Sequence, residues 1–160
     1  MRIDADNLRS YFEPIIGLKP WRARLGFGSF LTFDFGPKVR KASHLHGAWH
    51  LWIYQCEWTL SSRGKCIVHS ESPRRDMERA VRTLESYPLT AIRFDPHSFR
   101  TNFVFGKNID LACKKYSENL DIKYDELWML FMPENKVLSV APEKPIVVEP
   151  ADVSSEVRAD

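Results

Sequence analysis

The sequence predicts an α+β domain in which mainly antiparallel strands pack against one amphipathic helix and a short N-terminal helix. Most of the chain alternates apolar and polar residues with the period of a strand, whereas one long segment has the period of a helix. The connections have hairpin length, and alternating βαβ units are absent. We therefore expect about eight or nine strands in a strongly curved sheet, a sandwich or a partial barrel.

The first third of the chain predicts a helix followed by strands. Residues 4–13 (DADNLRSYFE) form a short amphipathic segment with Asp4 or Asp6 as the N-cap. Residues 21–35 alternate with period two, which indicates one long strand or a bent pair. Residues 36–47 (GPKVRKASHLHG) are polar and are expected to be a connection.

The middle of the chain predicts a central strand, a hairpin and the main helix. Trp49–Leu60 is apolar on both faces, as in a buried strand, and the turn SSRG leads into a returning strand, KCIVHS. Ser72 and Pro73 can then begin a helix over residues 73–86. The apolar positions with helical spacing in this segment are Met77, Ala80, Val81 and Leu84.

The last third of the chain returns to a period of two. The segments LTAIRFD, SFRTNFVF and IDLACKKY predict strands, and ELWMLFM and KVLSV predict a closing hairpin around the turn PENK. Beyond Pro142 the chain is proline-rich and acidic, without periodicity. We therefore expect one globular domain over residues 1–142 and a flexible tail over residues 143–160, whose removal should leave thermal stability nearly unchanged.

Composition limits the partners. The chain of 160 residues has 23 Lys and Arg against 21 Asp and Glu, and the two signs are interspersed, so nucleic acid is not expected. No segment has the apolar length of a signal peptide or a membrane span, which favours a cytoplasmic protein away from membranes.

Three widely spaced cysteines without a CxxC pattern predict buried thiols. No cofactor is expected.

The stretch HLHGAWHLWIYQCEW, residues 44–58, contains the first candidate site. On an extended strand His44 and His46 point to the same side about 7 Å apart, a spacing at which two imidazoles can share a metal ion. His50 would lie roughly 13 Å from His46 and could join them only if Gly47 bends the chain.

The same stretch also predicts a ligand-binding wall. One face of the strand carries His50, Trp52, Tyr54, Cys56, Trp58 and Leu60. If the SSRG turn is symmetric, Cys56 faces His69 on the returning strand, a pairing that can activate a thiol. Glu57 is the acid of most interest because it lies in an apolar strand, whereas Asp34 is expected where its strand emerges at the surface.

The segments LGFGSFLTFDFG, HGAWHLWIYQCEW and ELWMLFMPENKVLSV resemble those of a family of bacterial proteins of this size, a domain of unknown function. The resemblance covers residues 20–141. It implies a bacterial, cytoplasmic origin and assigns no activity or site residue. Small bacterial proteins without catalytic motifs include immunity proteins, which bind and block a toxin, and this connection is by analogy only.

Two functional hypotheses follow. The first is a non-enzymatic cytoplasmic interaction domain, a monomer or homodimer, with a protein or small-molecule partner. The second is a small-molecule-binding or metal-dependent enzyme that uses the region of His44, His46 and His50 or that of Cys56, Glu57 and His69. An interaction domain should bury its central strand in a dry core, whereas an enzyme should have a pocket into which His50 or Glu57 opens.

Overall fold

The computed structural model describes residues 1–116 and 126–151, and this part of the chain forms twelve strands and two short α-helices. The strands are β1 (Arg2–Ile3), β2 (Arg22–Leu25), β3 (Leu31–Lys41), β4 (His44–Ile53), β5 (Glu57–Ser62), β6 (Lys65–His69), β7 (Leu89–Phe94), β8 (Thr101–Phe105), β9 (Ile109–Lys114), β10 (Trp128–Met132), β11 (Lys136–Val140) and β12 (Ile146–Pro150). The helices are α1 (Ala5–Leu8) and α2 (Arg74–Arg82). Neither helix is long and apolar enough to cross a lipid bilayer.

The strands form two antiparallel sheets. The first has seven strands in the order β1-β12-β11-β10-β4-β3-β2, and the second has five in the order β6-β5-β9-β8-β7. The predicted α+β class with antiparallel pairing is confirmed. The predicted eight or nine strands are too few, and the described strands lie in two separate sheets rather than in one strongly curved sheet or partial barrel.

The core lies between the two sheets. The face of the seven-stranded sheet that is turned inward carries a row of opposed apolar side chains, namely Ala23, Phe33, Leu51, Leu130, Leu138 and Val148. Phe33 meets Phe105 of the second sheet at 5.7 Å between ring centroids, and Phe103 meets Trp128 at 5.5 Å. Burial of these rings supplies the main apolar stabilisation of the fold.

The α-helix near the N-terminus is shorter than predicted. Asp4 is the N-cap of α1, and its Oδ1 accepts a hydrogen bond of 2.9 Å from the amide of Asn7. Two 3-10 turns follow the α-helix. They bring the fully buried Phe12 against Phe103 and Trp128, so this segment closes one side of the core.

Helix α2 lies within the predicted helix and is extended by a 3-10 turn to Ser86. It buries Met77, Ala80 and Val81, and it packs against β2 and β6. The expected cap by Ser72 is not formed, because the Ser72 hydroxyl accepts a hydrogen bond from the amide of His69 instead. Packing of its buried face, rather than an N-terminal side-chain cap, therefore stabilises the helix.

Residues 36–47 are not the connection that their polarity predicted. β3 continues to Lys41 and β4 begins at His44, so the two strands form one long hairpin with a register shift between Phe35 and Lys38. Backbone pairing needs no apolar side chains, which is why the residue pattern gave no sign of these strands. The shift is a β-bulge, and it bends the hairpin.

Trp49–Leu60 is not one strand. β4 ends at Ile53 in the first sheet, and β5 begins at Glu57 in the second, so the three residues between them carry the chain across the core. The residues that the sequence placed together on one face of a single strand therefore lie in different parts of the structure. Trp58 and Cys56 lie in the core, whereas the side chain of Trp52 lies on the other side of the seven-stranded sheet.

The prediction of a flexible tail over residues 143–160 is wrong for its first half. β12 pairs with β11 on one side and with β1 on the other, and it buries Ile146 and Val148. The described chain thus continues in the sheet beyond Pro142. Residues 152–160 lie outside the described residues.

Two of the three cysteines are buried as predicted. Cys56 and Cys113 are fully buried next to each other, and burial together with the neighbouring Cys56 thiol raises the pKa of the Cys113 thiol. Cys66 is exposed on β6, contrary to the prediction. All three are free thiols.

Candidate functional site

The outer face of the seven-stranded sheet holds an open basin with a volume of about 880 Å³. Its floor is made by side chains of β2, β3, β4 and β10 that point away from the core. The loop of residues 26–30 borders one end of the basin, and the β3–β4 and β10–β11 turns border the other. The basin therefore runs along β4 and crosses the contact between β4 and β10.

A buried carboxylate organises the floor of this basin. Asp34 is fully buried, and its two oxygens accept three hydrogen bonds: 2.7 Å from Nε of Arg22, 2.8 Å from the amide of Gly47 and 2.7 Å from Nδ1 of His50. The Arg22 guanidinium also donates to the carbonyl of Leu45. The prediction that Asp34 emerges at the surface is wrong, because these donors replace its hydration.

The electrostatic environment keeps Asp34 ionised. Burial by itself raises the pKa of this carboxyl, but the hydrogen bond and charge of His50, the Gly47 amide and the Arg22 guanidinium outweigh it. The net effect lowers the pKa of Asp34 from 3.8 to about 2. The carboxylate is therefore a fixed negative charge beneath His50 at neutral pH.

This shift predicts a loss of stability in acid. The folded-state pKa lies below the unfolded value, so the stabilisation is fully present above about pH 4 and is lost as the pH falls towards 2. Urea denaturation at about pH 5 and about pH 2 should show that Asp34 accounts for roughly 2 kcal/mol of the decrease in unfolding free energy. The Asp34→Asn variant, which does not titrate, should lack this part of the decrease. An identical decrease in both proteins would contradict the assignment.

Gly47 is required by the close approach of two strands. A Cβ at this position would lie 2.5 Å from the carbonyl oxygen of Phe35 and 2.7 Å from its nitrogen, both of which belong to the backbone. The bulge of β3 brings its backbone this near to β4. Only glycine permits the approach that lets the Gly47 amide reach Asp34.

Two histidines of β4 each have one nitrogen fixed and the other open to the basin. Nδ1 of His50 donates to the ionised Asp34, and Nδ1 of His46 donates to the carbonyl of Gly47 at 2.9 Å. Among the described residues no buried side-chain nitrogen or oxygen lacks a hydrogen-bond partner. Since neither Nε2 has such a partner, both are accessible from the basin. The ring centroids are 6.3 Å apart.

The opposite end of the basin is aromatic. Phe30 packs on Tyr54 at 4.5 Å between centroids, and Tyr54 packs on Trp52 at 4.5 Å. Trp52 lies beneath the other two rings and is almost fully buried. Phe27 stands at the rim with 87 % of its surface exposed. This end therefore offers an apolar surface that is only partly covered by the protein.

Helix α2 holds the aromatic loop in place. Arg74 donates two hydrogen bonds of 2.9 Å, from Nη1 to the carbonyl of Gly28 and from Nη2 to the carbonyl of Gly26. Its Nε also pairs with Glu78 at 3.1 Å. The two glycines flank Phe27, so the helix fixes the backbone on both sides of the exposed ring.

The side chains around the basin leave an excess of positive charge. Its two acids are already paired, Asp34 with Arg22 at 2.7 Å and Glu134 with Lys136 at 3.6 Å. Arg24 lines the basin, is exposed, and forms no ion pair or side-chain hydrogen bond within residues 1–116 and 126–151. The basin thus carries an unneutralised guanidinium on β2, where Arg24 is opposite Thr32.

The structure brings together only part of the residues predicted for a site. The members that line the basin are His44, His46, His50, Trp52 and Tyr54. The remaining three lie elsewhere. Cys56 is buried in the core, Glu57 pairs with Lys114 at 3.6 Å on the second sheet, and the exposed His69 faces Thr59 rather than Cys56. The hairpin register therefore removes the thiol–imidazole pair.

The predicted metal site of His44 and His46 stays a prediction. Both histidines lie on the basin side of β4, as their spacing indicated. Within the two described segments no group of three or more histidine, cysteine and acidic side chains is arranged to hold a metal ion.

Sequence reasoning missed the buried role of Asp34. It also missed the residues of β2, of the loop of residues 26–30 and of β3 that complete the basin, namely Arg22, Arg24, Phe30 and Thr32. The available signal for Asp34 was an acid placed between two phenylalanines of a long strand. Its partners Arg22, Gly47 and His50 are brought to it by strand pairing, which the sequence alone did not reveal.

The fold and site together define a two-sheet α+β domain with a ligand-sized basin on the outer face of its larger sheet. Comparison with known proteins adds no relative: no family model matches the chain, and neither the curated proteins nor the solved structures contain a match. The function is therefore argued from the geometry of the basin.

Proposed function

We propose that this protein is a binding domain that holds a small organic molecule in the basin of the seven-stranded sheet. The observation that carries the proposal is His50, whose surface is 9 % exposed and whose Nε2 opens into the basin without a partner from the described protein. A polar nitrogen at the bottom of an aromatic-lined cavity is a group that a ligand can satisfy.

Size and lining agree with this proposal. A volume of about 880 Å³ lies within the range of roughly 300–1,000 Å³ that is usual for small-molecule sites. Such sites combine apolar and aromatic surface with a few polar groups, as Phe30, Tyr54 and His50 do here. For an enzyme, the sequence led us to expect a pocket into which His50 or Glu57 opens. His50 lines this basin, whereas Glu57 pairs with Lys114 and is not part of its lining.

The rim residue Phe27 gives the sharpest test. Because its ring is 87 % exposed, the Phe27→Ser variant should keep its stability but lose apolar contact with a ligand. We expect ligand-observed NMR with a set of one- and two-ring aromatic compounds to detect binding to the natural chain. Affinity in Phe27→Ser should be at least about three-fold weaker.

The matched control is Ile67→Ser, which removes an apolar side chain that is 51 % exposed on β6 of the other sheet. This variant should bind the same compounds as the natural chain. Equal loss in both variants, or binding that is unchanged in Phe27→Ser, would count against the basin as the binding site.

A second candidate function is acid–base catalysis, and the Asp34–His50 pair favours it. A carboxylate that fixes Nδ1 and leaves Nε2 open is the arrangement of a histidine general base. No serine or cysteine of the described chain is hydrogen-bonded to His50, so water would be the nucleophile. Hydrolysis of 4-nitrophenyl acetate that the His50→Gln variant loses while it still binds aromatic compounds would favour this candidate.

A further inference from the structure

We propose that the ligand of the basin is an aromatic anion, a flat ring system that carries a carboxylate or a phosphate. This inference rests on the proposed binding function and specifies the chemical class of the ligand. It follows from two regions of the basin, an aromatic subsite (Phe27, Phe30 and Tyr54) and an anion subsite (Arg24, Thr32 and His50), and from the distance between them.

The aromatic subsite selects a flat apolar group. Phe30 and Tyr54 are only partly buried, and both rest on the nearly buried Trp52. Phe27 lies 6.4 Å from Phe30 between ring centroids and extends the same surface to the rim. A ring placed against these side chains would cover apolar area that the protein itself leaves open.

The anion subsite is formed by groups on three adjacent strands. Arg24 of β2 is opposite Thr32 of β3, and Thr32 is opposite Trp52 of β4, which places Thr32 diagonally beside His50. Arg24 supplies a guanidinium, Thr32 a hydroxyl, and His50 the nitrogen Nε2. Neither the Arg24 nor the Thr32 side chain is hydrogen-bonded to another described residue.

The charge of the basin favours an anion over a cation or a neutral ligand. Both acids of its lining are already in ion pairs, so no carboxylate of the described lining is left to receive a cation. The guanidinium of Arg24 has no such partner, and His50 donates from Nε2 when it is protonated. A carboxylate or phosphate can accept from the Arg24 guanidinium and the Thr32 hydroxyl, and from Nε2 of His50 in its doubly protonated form. Such charge-assisted bonds are the stronger kind.

The spacing of the two subsites sets the size of the ligand. His50 and Trp52 are two residues apart on β4 and therefore lie about 7 Å apart. The ring of Tyr54 lies a further 4.5 Å from that of Trp52 between centroids. A two-ring compound with one acidic substituent has this length. We therefore choose 2-naphthoate as the probe and 2-naphthamide as its neutral counterpart of nearly equal shape.

Binding of both probes to the full chain is measured by isothermal titration calorimetry near neutral pH. We expect 2-naphthoate to bind at least about ten-fold more tightly than 2-naphthamide. The variants Arg24→Gln and His50→Gln should each reduce this preference several-fold and leave the affinity for the amide nearly unchanged. His97→Gln, an exposed histidine outside the basin, is the matched control and should keep the full preference.

The outcomes separate this inference from the function on which it rests. Binding of both probes with equal affinity overturns the anionic ligand but leaves a small-molecule site. If neither probe binds in the basin, the aromatic-anion proposal fails, and the fragment set used for Phe27→Ser decides whether the basin binds other compounds. Arg24 is exposed, so its variant keeps the test valid even if His50→Gln does not fold.

Discussion

A chain that ends at Pro142 should be far less stable than one that ends at Ala151. The shorter chain lacks β12, which buries Ile146 and Val148 and fills the place between β11 and β1. Burial of two such side chains contributes roughly 3 to 6 kcal/mol. Since small domains are stable by only about 5 to 15 kcal/mol, the shorter chain should be largely unfolded or should melt many degrees lower.

The comparison is made by thermal and urea denaturation of the two truncated chains side by side. Ending the control at Ala151 keeps all of β12 and the hydrogen bond from Asn135 Nδ2 to the carbonyl of Ala151. Any difference between the two chains therefore reports on residues 143–151 alone. Equal melting temperatures would mean that β12 adds nothing, in agreement with the flexible tail expected from the sequence.

The second large effect is expected from Asp34→Ala. This change leaves the Arg22 guanidinium, the Gly47 amide and Nδ1 of His50 without their acceptor at a buried position. Removal of one partner from a buried charged network costs roughly 3 to 5 kcal/mol. Asp34→Asn keeps an acceptor oxygen but loses the charge, and its loss of unfolding free energy should be smaller.

Asp110→Ala is the control for this experiment. Asp110 accepts from the side-chain amide of Asn102 on a half-buried surface of the second sheet, so its removal should cost only about 1 kcal/mol. Urea denaturation at neutral pH gives all three values. If Asp34→Ala proves no more costly than Asp110→Ala, the network contributes little to the fold, and its role would have to be sought in the basin alone.

Elements with a local signal could be predicted from the sequence. Helix α2 has apolar residues at helical spacing, and the β10–β11 hairpin has alternation on both sides of PENK. The N-cap of α1 by Asp4 was likewise one of the two predicted. In each case the residues that determine the structure are neighbours in the chain.

Elements that depend on distant partners could not be predicted in this way. The change of sheet after Ile53 has no glycine or proline to mark it, and the alternation continues across it. β12 is a strand because β1 and β11 lie on either side of it, although its proline-rich sequence resembles a tail. For the same reason the histidines of the site were found, but the buried role of Asp34 was not.

The contact between β4 and β10 has a consequence for the order of folding. The N-terminal half of the seven-stranded sheet, β2-β3-β4, and its C-terminal half, β10-β11-β12, are each built from neighbouring hairpins. The two halves are joined by the pairing of β4 with β10, which runs from Ile53 opposite Trp128 to His50 opposite Phe131. Contacts between such distant positions form late because they close a long loop. The basin lies across this contact, so it comes into existence only when the chain is nearly folded. A molecule that binds there would bind only the completed sheet and would therefore stabilise the folded chain by mass action.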